Sequence, residues 1–243
     1  MQIKAIILGA DKPLQPDEMP MLLRPICGTP IIRHLTGTLE QLGIKDISVV
    51  INSIDDKMKQ AINPHKHFFQ PVRLGTGHAV SMASEALKPF DGCALILFGD
   101  TPLIRATTIQ KMIDKCQGGA DVVALAFIPT DGRRYGRVII NNDGLCDIIE
   151  YKEANDAQRT IRLCNAGALC VNGRHILSLI KKIKNDNSTG EYYITQIVKL
   201  ARLAGLSTDI VIGASEELHG INSPEELMAA EELFLQHQIQ GKK

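Results

Sequence analysis

Short apolar blocks punctuate the first half of this chain, and stretches with helical spacing separate them. Ile3–Leu8 reads as a first buried strand and Ile47–Ile51 as a second, while Ala94–Phe98, an unbroken apolar run, reads as a strand covered on both faces. His67–Val72 looks extended, and Ala120–Phe127 is a further strand. Between the blocks the pattern predicts helices over Pro30–Leu42, opened by its proline, and over Asp55–Ile62, Gly77–Leu87 and Thr107–Cys116. Strands alternating with helices imply right-handed βαβ units, hence an α/β fold with a mainly parallel central sheet.

The second half changes character. Arg137–Ile140 and Cys146–Tyr151 flank Asn-Asn-Asp-Gly at 141–144, a hairpin turn signal. A strand at Ala168–Val171, helices at His175–Lys184 and Tyr192–Ala204, and a strand at Asp209–Ile212 follow. Together they predict a small antiparallel lobe built onto the parallel core rather than a separately folding unit. Residues 1–222 then form one domain, with halves of about 1–115 and 116–222. Residues 223–243 form a last helix and tail, opened by Pro224, with Glu225, Glu226, Glu231 and Glu232 on a mostly polar surface.

Charge narrows the choice of partners. Lys plus Arg and Asp plus Glu number 27 each, so the net charge of zero argues against a general nucleic-acid or anionic-membrane surface. No apolar run is long enough to span a bilayer, and the opening MQIKAIILGA lacks a cleavage region after its apolar stretch. Six scattered cysteines, without a CxxC pair or zinc spacing, read as reduced core thiols of a cytoplasmic protein.

Several segments at element edges carry polar chemistry. Asp100 in FGDTPLI lies just past a buried strand, where open α/β sheets bind ligands; it is either a hard oxygen ligand for Mg²⁺ or the cap of the turn before Pro102. Gly75, Thr76 and Gly77 open a helix, either to let backbone approach a ligand or as an ordinary start with Thr76 as N-cap. His78 beside them reads as a positional residue. The first loop is unusual. Leu8 to Pro25 begins where a phosphate-binding loop would stand, yet after Gly9 it carries Pro13, Pro16, Pro20, Asp11, Asp17 and Glu18.

Order and spacing of GTGHA, GDTPLI, YGR, IIEYKEANDAQR, NAG, GEYYIT and GIN, from the first strand to about residue 230, form one series. It resembles the pyrophosphorylase domain of the bacterial bifunctional N-acetylglucosamine-1-phosphate uridylyltransferase/glucosamine-1-phosphate acetyltransferase family. The resemblance implies a Rossmann-like nucleotidyltransferase fold and Mg²⁺-dependent transfer of UMP from UTP to N-acetylglucosamine 1-phosphate, with release of pyrophosphate. Its partners would be small molecules, a nucleotide and a sugar phosphate.

By the same resemblance, Gln70 reads the uracil, and Gly75 and Thr76 lie along base and ribose, with Leu8, Gly9, Phe98 and Gly99 completing the nucleotide side. Gly136, Glu150 and Asn165 hold the sugar, and Thr195 lies near its phosphate. Asp100 and Asn222 are the two protein ligands of Mg²⁺.

The departures concern the triphosphate. The family's first loop, L-A-A-G-x-G-T-R-M followed by a proline–lysine pair, is replaced here by DKPLQPDEM, with Leu14 or Gln15 at the arginine position and Pro20-Met21 at the pair. Ala166 replaces the usual threonine of the asparagine–threonine–glycine segment. Lys12, the catalytic candidate, and Arg73 are the nearby cations, and neither is at the expected place. The residues after the last helix carry no hexapeptide repeats, so neither acetyl transfer nor a β-helix trimer is expected. Three functions stay open: this pyrophosphorylase activity, a sugar-nucleotide-binding protein without turnover, and a nucleotidyltransferase for another nucleotide or sugar.

Overall fold

The structure is a computed structural model that describes residues 1–9, 19–52, 56–142 and 144–240. In chain order its first half contains β1 (Gln2–Leu8), the small strands β2 (Pro25–Ile26) and β3 (Thr29–Pro30), α1 (Ile31–Gln41), β4 (Asp46–Ile51), α2 (Asp56–Ile62), β5 (Lys66–Phe69), α3 (Thr76–Met82), β6 (Gly92–Phe98) and α4 (Ala106–Gln117). The second half contains β7 (Val122–Phe127), β8 (Arg137–Asn141), β9 (Gly144–Ile149), α5 (Asp156–Arg159), β10 (Cys164–Asn172), α6 (Ile176–Ile180), α7 (Gln196–Leu203), β11 (Thr208–Ile212), α8 (Ser215–Leu218) and α9 (Pro224–Gln240).

Among the described residues, the central sheet runs in the order β11-β7-β10-β6-β1-β4-β5, and the β8–β9 hairpin joins it through β10. β1 is parallel to both β4 and β6, β5 is parallel to β4, and β11 is parallel to β7. The sheet is therefore mostly parallel, as the alternating pattern predicts. One strand of the expected antiparallel lobe goes further than expected. β10 lies inside the main sheet, antiparallel to β6 on one side and β7 on the other. The lobe's hairpin, in contrast, stays at the margin and meets β10 at Cys164 opposite Arg137.

Apolar runs are continuous because both sheet faces are covered. Ala5 and Ile7 of β1, with Cys93, Leu95 and Leu97 of β6, pack into a core shared with α1 and α4. Ile6, Leu8, Ala94 and Ile96 point the other way, into a core shared with α3, α6 and α7. Successive side chains of a strand face opposite sides, so two buried faces require apolar residues at every position. Five of the six thiols are buried or half-buried, in line with the expected core position of most cysteines, and Cys27 is exposed; all six are free. Cys93, Cys116 and Cys170 lie together in the first core, their sulfurs within 4.8 Å of one another.

Several elements are shorter than their sequence pattern. Helix α3 stops at Met82 because the amides of Ala83, Ser84, Ala86 and Leu87 bond three residues back, continuing as tight turns. The segment before α7 is held from outside: the Tyr192 amide donates to Leu74 O at 2.7 Å, and the Ile194 amide donates to Thr76 Oγ1 at 2.9 Å. Amides committed to another segment cannot close helical turns of their own. Strand β5 ends at Phe69, and Pro71, lacking an N–H, closes off further pairing.

Glu217, only 2% exposed, joins two distant pieces of the domain. Its carboxylate accepts from the Arg105 amide at 2.7 Å, the Thr108 hydroxyl at 2.8 Å and the Ala214 amide at 3.2 Å. Helix α4, which Arg105 caps, is thereby tied to the segment after β11. Glu217→Ala strands three donors in a dry site, so urea denaturation is expected to show a loss of about 2–4 kcal/mol.

Candidate functional site

The sheet reverses its building direction at β1. From there β4 and β5 extend one way, while β6 and the later strands extend the other. Crevices outside the carboxyl ends of strands at such a point are the usual ligand sites of α/β sheets. Leu8 and Phe98 end β1 and β6 side by side in register, and the Gly99 amide donates to Leu8 O at 2.8 Å. A cavity of about 650 Å³ opens there, lined from both halves of the chain.

The first half contributes Leu8, Gln70, Gly75, Thr76, Phe98, Gly99 and Asp100, all of them expected from the sequence. Gly9 does not line the cavity. Its amide donates to Val50 O at 2.8 Å, and a Cβ there would meet Leu22 Cδ1 at 2.1 Å, so it is fixed by packing behind the site. Lys12, together with Leu14 and Gln15, lies outside the described residues.

Gln70 is the buried polar group of this end, 2% exposed. Its Nε2 donates to Gly75 O at 3.3 Å and lies 2.8 Å from His78 Nδ1. Gly75 O can only accept, so the amide nitrogen must face inward; His78 Nδ1 then accepts from it. His78 thus positions Gln70, in keeping with its sequence reading.

Gly75 has φ +102°, and a Cβ would come within 2.6 Å of Tyr192 O. Only glycine allows this approach. The Gly77 amide donates to Tyr192 O at 2.6 Å, so the GTGHA and GEYYIT segments are stitched together. Gly75 rather than Thr76 caps the helix, because the Thr76 hydroxyl is taken by Ile194, which removes the expected Thr76 cap.

The second half supplies Gly136, Glu150 and Asn165, again as expected, on the opposite wall. Asn165 sits where the pairing of β10 with β7 shifts register, a local irregularity that re-aims side chains. Its Oδ1 accepts from the Gly167 amide at 3.3 Å, and Gly167, at φ +71°, rests against the Phe98 ring. Gly136 stands close to Glu150, whose Oε2 would lie in ordinary contact, 3.5 Å, from a Cβ at that position. Thr195 is behind this wall rather than in it, and its hydroxyl donates to Glu150 Oε1 at 2.7 Å.

Burial pushes the Glu150 carboxyl above the usual carboxylate range; the Thr195 hydroxyl opposes this, while nearby Glu191 and Glu153 push it further up.

Asp100 and Asn222 meet across Gly220. A Cβ on Gly220 would sit 2.8 Å from Asp100 Oδ2 and 3.2 Å from Asn222 Nδ2, and the Ile221 amide donates to Asp100 O at 2.8 Å. The backbone carbonyl of Asp100 thereby ties the end of β6 to the returning Gly220–Asn222 segment. Absence of a Cβ at 220 leaves a small space flanked by the Asp100 carboxylate and the Asn222 carboxamide, whose nitrogen faces it; with that amide turned over, both would present the hard oxygen donors that suit Mg²⁺.

Other lining residues were not singled out as site residues in the sequence. Arg73, Tyr135, Ala166, Glu191 and Tyr193 belong to segments already noted there, but Arg134 does not. No motif signalled it. Its Nη2 donates to Gly220 O at 3.2 Å and to the Tyr135 hydroxyl at 3.0 Å, and its Nη1 pairs with Glu226 at 2.5 Å.

A mostly parallel sheet opening at its switch point onto a cleft with a buried glutamine amide, an aspartate facing an asparagine and a polar second wall has the form of a nucleotidyltransferase. Residues 5–181 match the MobA-like NTP transferase domain, and the chain belongs to that family. It is 42% identical to the bifunctional protein GlmU of Rhodospirillum rubrum over 98% of its own length and 53% of the relative. Its identity to the bifunctional protein GlmU of Paramagnetospirillum magneticum is 41%, over 88% and 48% of the two chains, and to that of Roseobacter denitrificans 38%, over 96% and 53%. The chain thus spans about half the length of these curated relatives. Among the described residues no helix is long and apolar enough to cross a membrane.

The raised carboxyl of Glu150 sets a pH-dependent expectation. A folded pKa above the unfolded value means that stability falls as pH rises from the ordinary carboxylate pKa through the folded one, then levels off. Glu150→Gln keeps an acceptor for Thr195 but removes the buried charge. Thermal denaturation should find the variant more stable than the parent at pH 8, with the difference narrowing toward pH 4.

Proposed function

We propose that this chain is a sugar-nucleotide pyrophosphorylase that joins UTP and N-acetylglucosamine 1-phosphate to give UDP-N-acetylglucosamine and pyrophosphate. The observation that carries this reading is the convergence of three groups on one cavity. Gln70 stands at one end, Glu150 and Asn165 on the other wall, and Asp100 with Asn222 beside Gly220. With its amide nitrogen turned inward, Gln70 offers Oε1 to the cleft as an acceptor, which suits the N3–H of uracil. Glu150 and Asn165 offer acceptors and an amide donor to the hydroxyl and acetamido groups of the sugar.

Asp100 and Asn222 would hold Mg²⁺, which neutralises phosphate charge and orients the oxygens for in-line displacement. The protein's own contribution is positioning: two walls hold base and sugar so that the sugar phosphate faces the α-phosphate. Leu8, Phe98 and Ala166 give the cavity apolar lining between these polar groups.

Purified protein with Mg²⁺, UTP and N-acetylglucosamine 1-phosphate should release pyrophosphate, and Asp100→Asn should lower that rate by at least about 100-fold. No release above blank overturns the enzyme reading. A second reading then takes over, favoured by a first loop that lacks the family arginine and lysine: a cytoplasmic binding protein that holds UDP-N-acetylglucosamine without turnover. It expects ligand to raise the melting temperature by mass action in the absence of any pyrophosphate release.

A further inference from the structure

We propose that Arg134 is a phosphate-binding residue, supplying from the second half of the chain a cation that the first loop lacks at its expected place. The assignment rests on the nucleotidyltransferase reading above. From Leu8 to Pro25 the basic residues are Lys12 and Arg24, set against Asp11, Asp17 and Glu18. Among the described residues, the cations that line the cavity are Arg73 and Arg134, and the acids are Asp100, Glu150 and Glu191. A nucleoside triphosphate entering this cleft brings several negative charges, and the cleft answers them with these two guanidinium groups.

The two arginines serve different ends. Arg73 lies two residues before Gly75, in the segment that also carries Gln70. Arg134 lies at the other end, where its Nη2 donates to the carbonyl of Gly220, the residue wedged between Asp100 and Asn222. Phosphate oxygens shared with a cation at Asp100 and Asn222 fall within reach of that guanidinium.

Its position is also prepared before any ligand arrives. One Glu226 carboxylate pairs with Arg134 Nη1 at 2.5 Å and accepts from the Asn222 amide at 2.6 Å, so arginine and metal-side segment share one anchor. Among the described residues, Gly220 O, the Tyr135 hydroxyl and Glu226 engage three of the five N–H donors of the guanidinium, which leaves two for an anion. A planar guanidinium held this way suits the tetrahedral oxygens of a phosphate.

A different role would produce the same contacts: Arg134 as a clamp on the Gly220–Asn222 segment. Calorimetry on the full chain separates the two, using UDP-N-acetylglucosamine and inorganic pyrophosphate as probes, each in EDTA and in Mg²⁺. Arg134→Gln should weaken both probes by about 10- to 100-fold, including in EDTA, and Arg134→Lys should restore part of the loss. Glu226→Gln loosens the anchor but keeps the cation, so it should weaken both probes by clearly less than Arg134→Gln does. Rising ionic strength should weaken the parent more than Arg134→Gln. Parental affinity in Arg134→Gln overturns the assignment, and so does equal weakening in Arg134→Gln, Arg134→Lys and Glu226→Gln, the signature of a clamp. A parent protein that binds neither probe overturns the functional reading itself, a result distinct from both.

Discussion

The parallel pairing of β1 with β6 is the constraint on which the rest of the site depends. Register from Gln2 opposite Gly92 to Leu8 opposite Phe98 brings the carboxyl ends of both strands to one edge. The Gly99 amide, bonded to Leu8 O, and the Gly9 amide, bonded to Val50 O, fix how the chain leaves that edge. Connections depart in opposite directions from this pair, and such a switch point is where a crevice opens. The cavity is the consequence, and every functional segment reaches it by packing against one of these two strands or their neighbours.

Close backbone approach does much of the remaining work. Gly75 lets the Tyr192 backbone come near enough to join the GTGHA and GEYYIT segments, and Gly220 lets Asp100 and Asn222 face each other. In both places the missing side chain is what permits a polar arrangement that a Cβ would push apart. The same economy has a cost at Glu150. Its carboxyl is held against its ordinary ionisation by burial and by two neighbouring glutamates, a destabilised group of the kind that binding sites retain for function.

Charge is the second organising theme. The described part of the cavity pairs three acids with two arginines. Asp100 stands at the end of β6 beside Gly220, while Glu150 and Glu191 come from the second half of the chain. Glu226 lies outside the lining and links Arg134 to Asn222, so that arginine and the Gly220–Asn222 segment are set by a single carboxylate on α9. This gives the last helix a part in the site that its polar surface did not suggest.

The sequence by itself determined the alternating α/β order, the strands buried on both faces, and the segments that meet in the cleft. These are local properties: a strand covered on two sides must be apolar throughout, and a glycine at a turn is readable where it stands. Tertiary structure alone decided the rest. It placed β10 inside the main sheet, shortened α7 by drawing the Tyr192 and Ile194 amides to Leu74 and Thr76, and moved Thr195 behind Glu150. It also brought Arg134 into the cleft next to Gly220, a neighbour 86 residues away in the chain. Each of these depends on a hydrogen bond or contact between distant segments, and no periodicity or motif carries the identity of a partner that folding alone brings near.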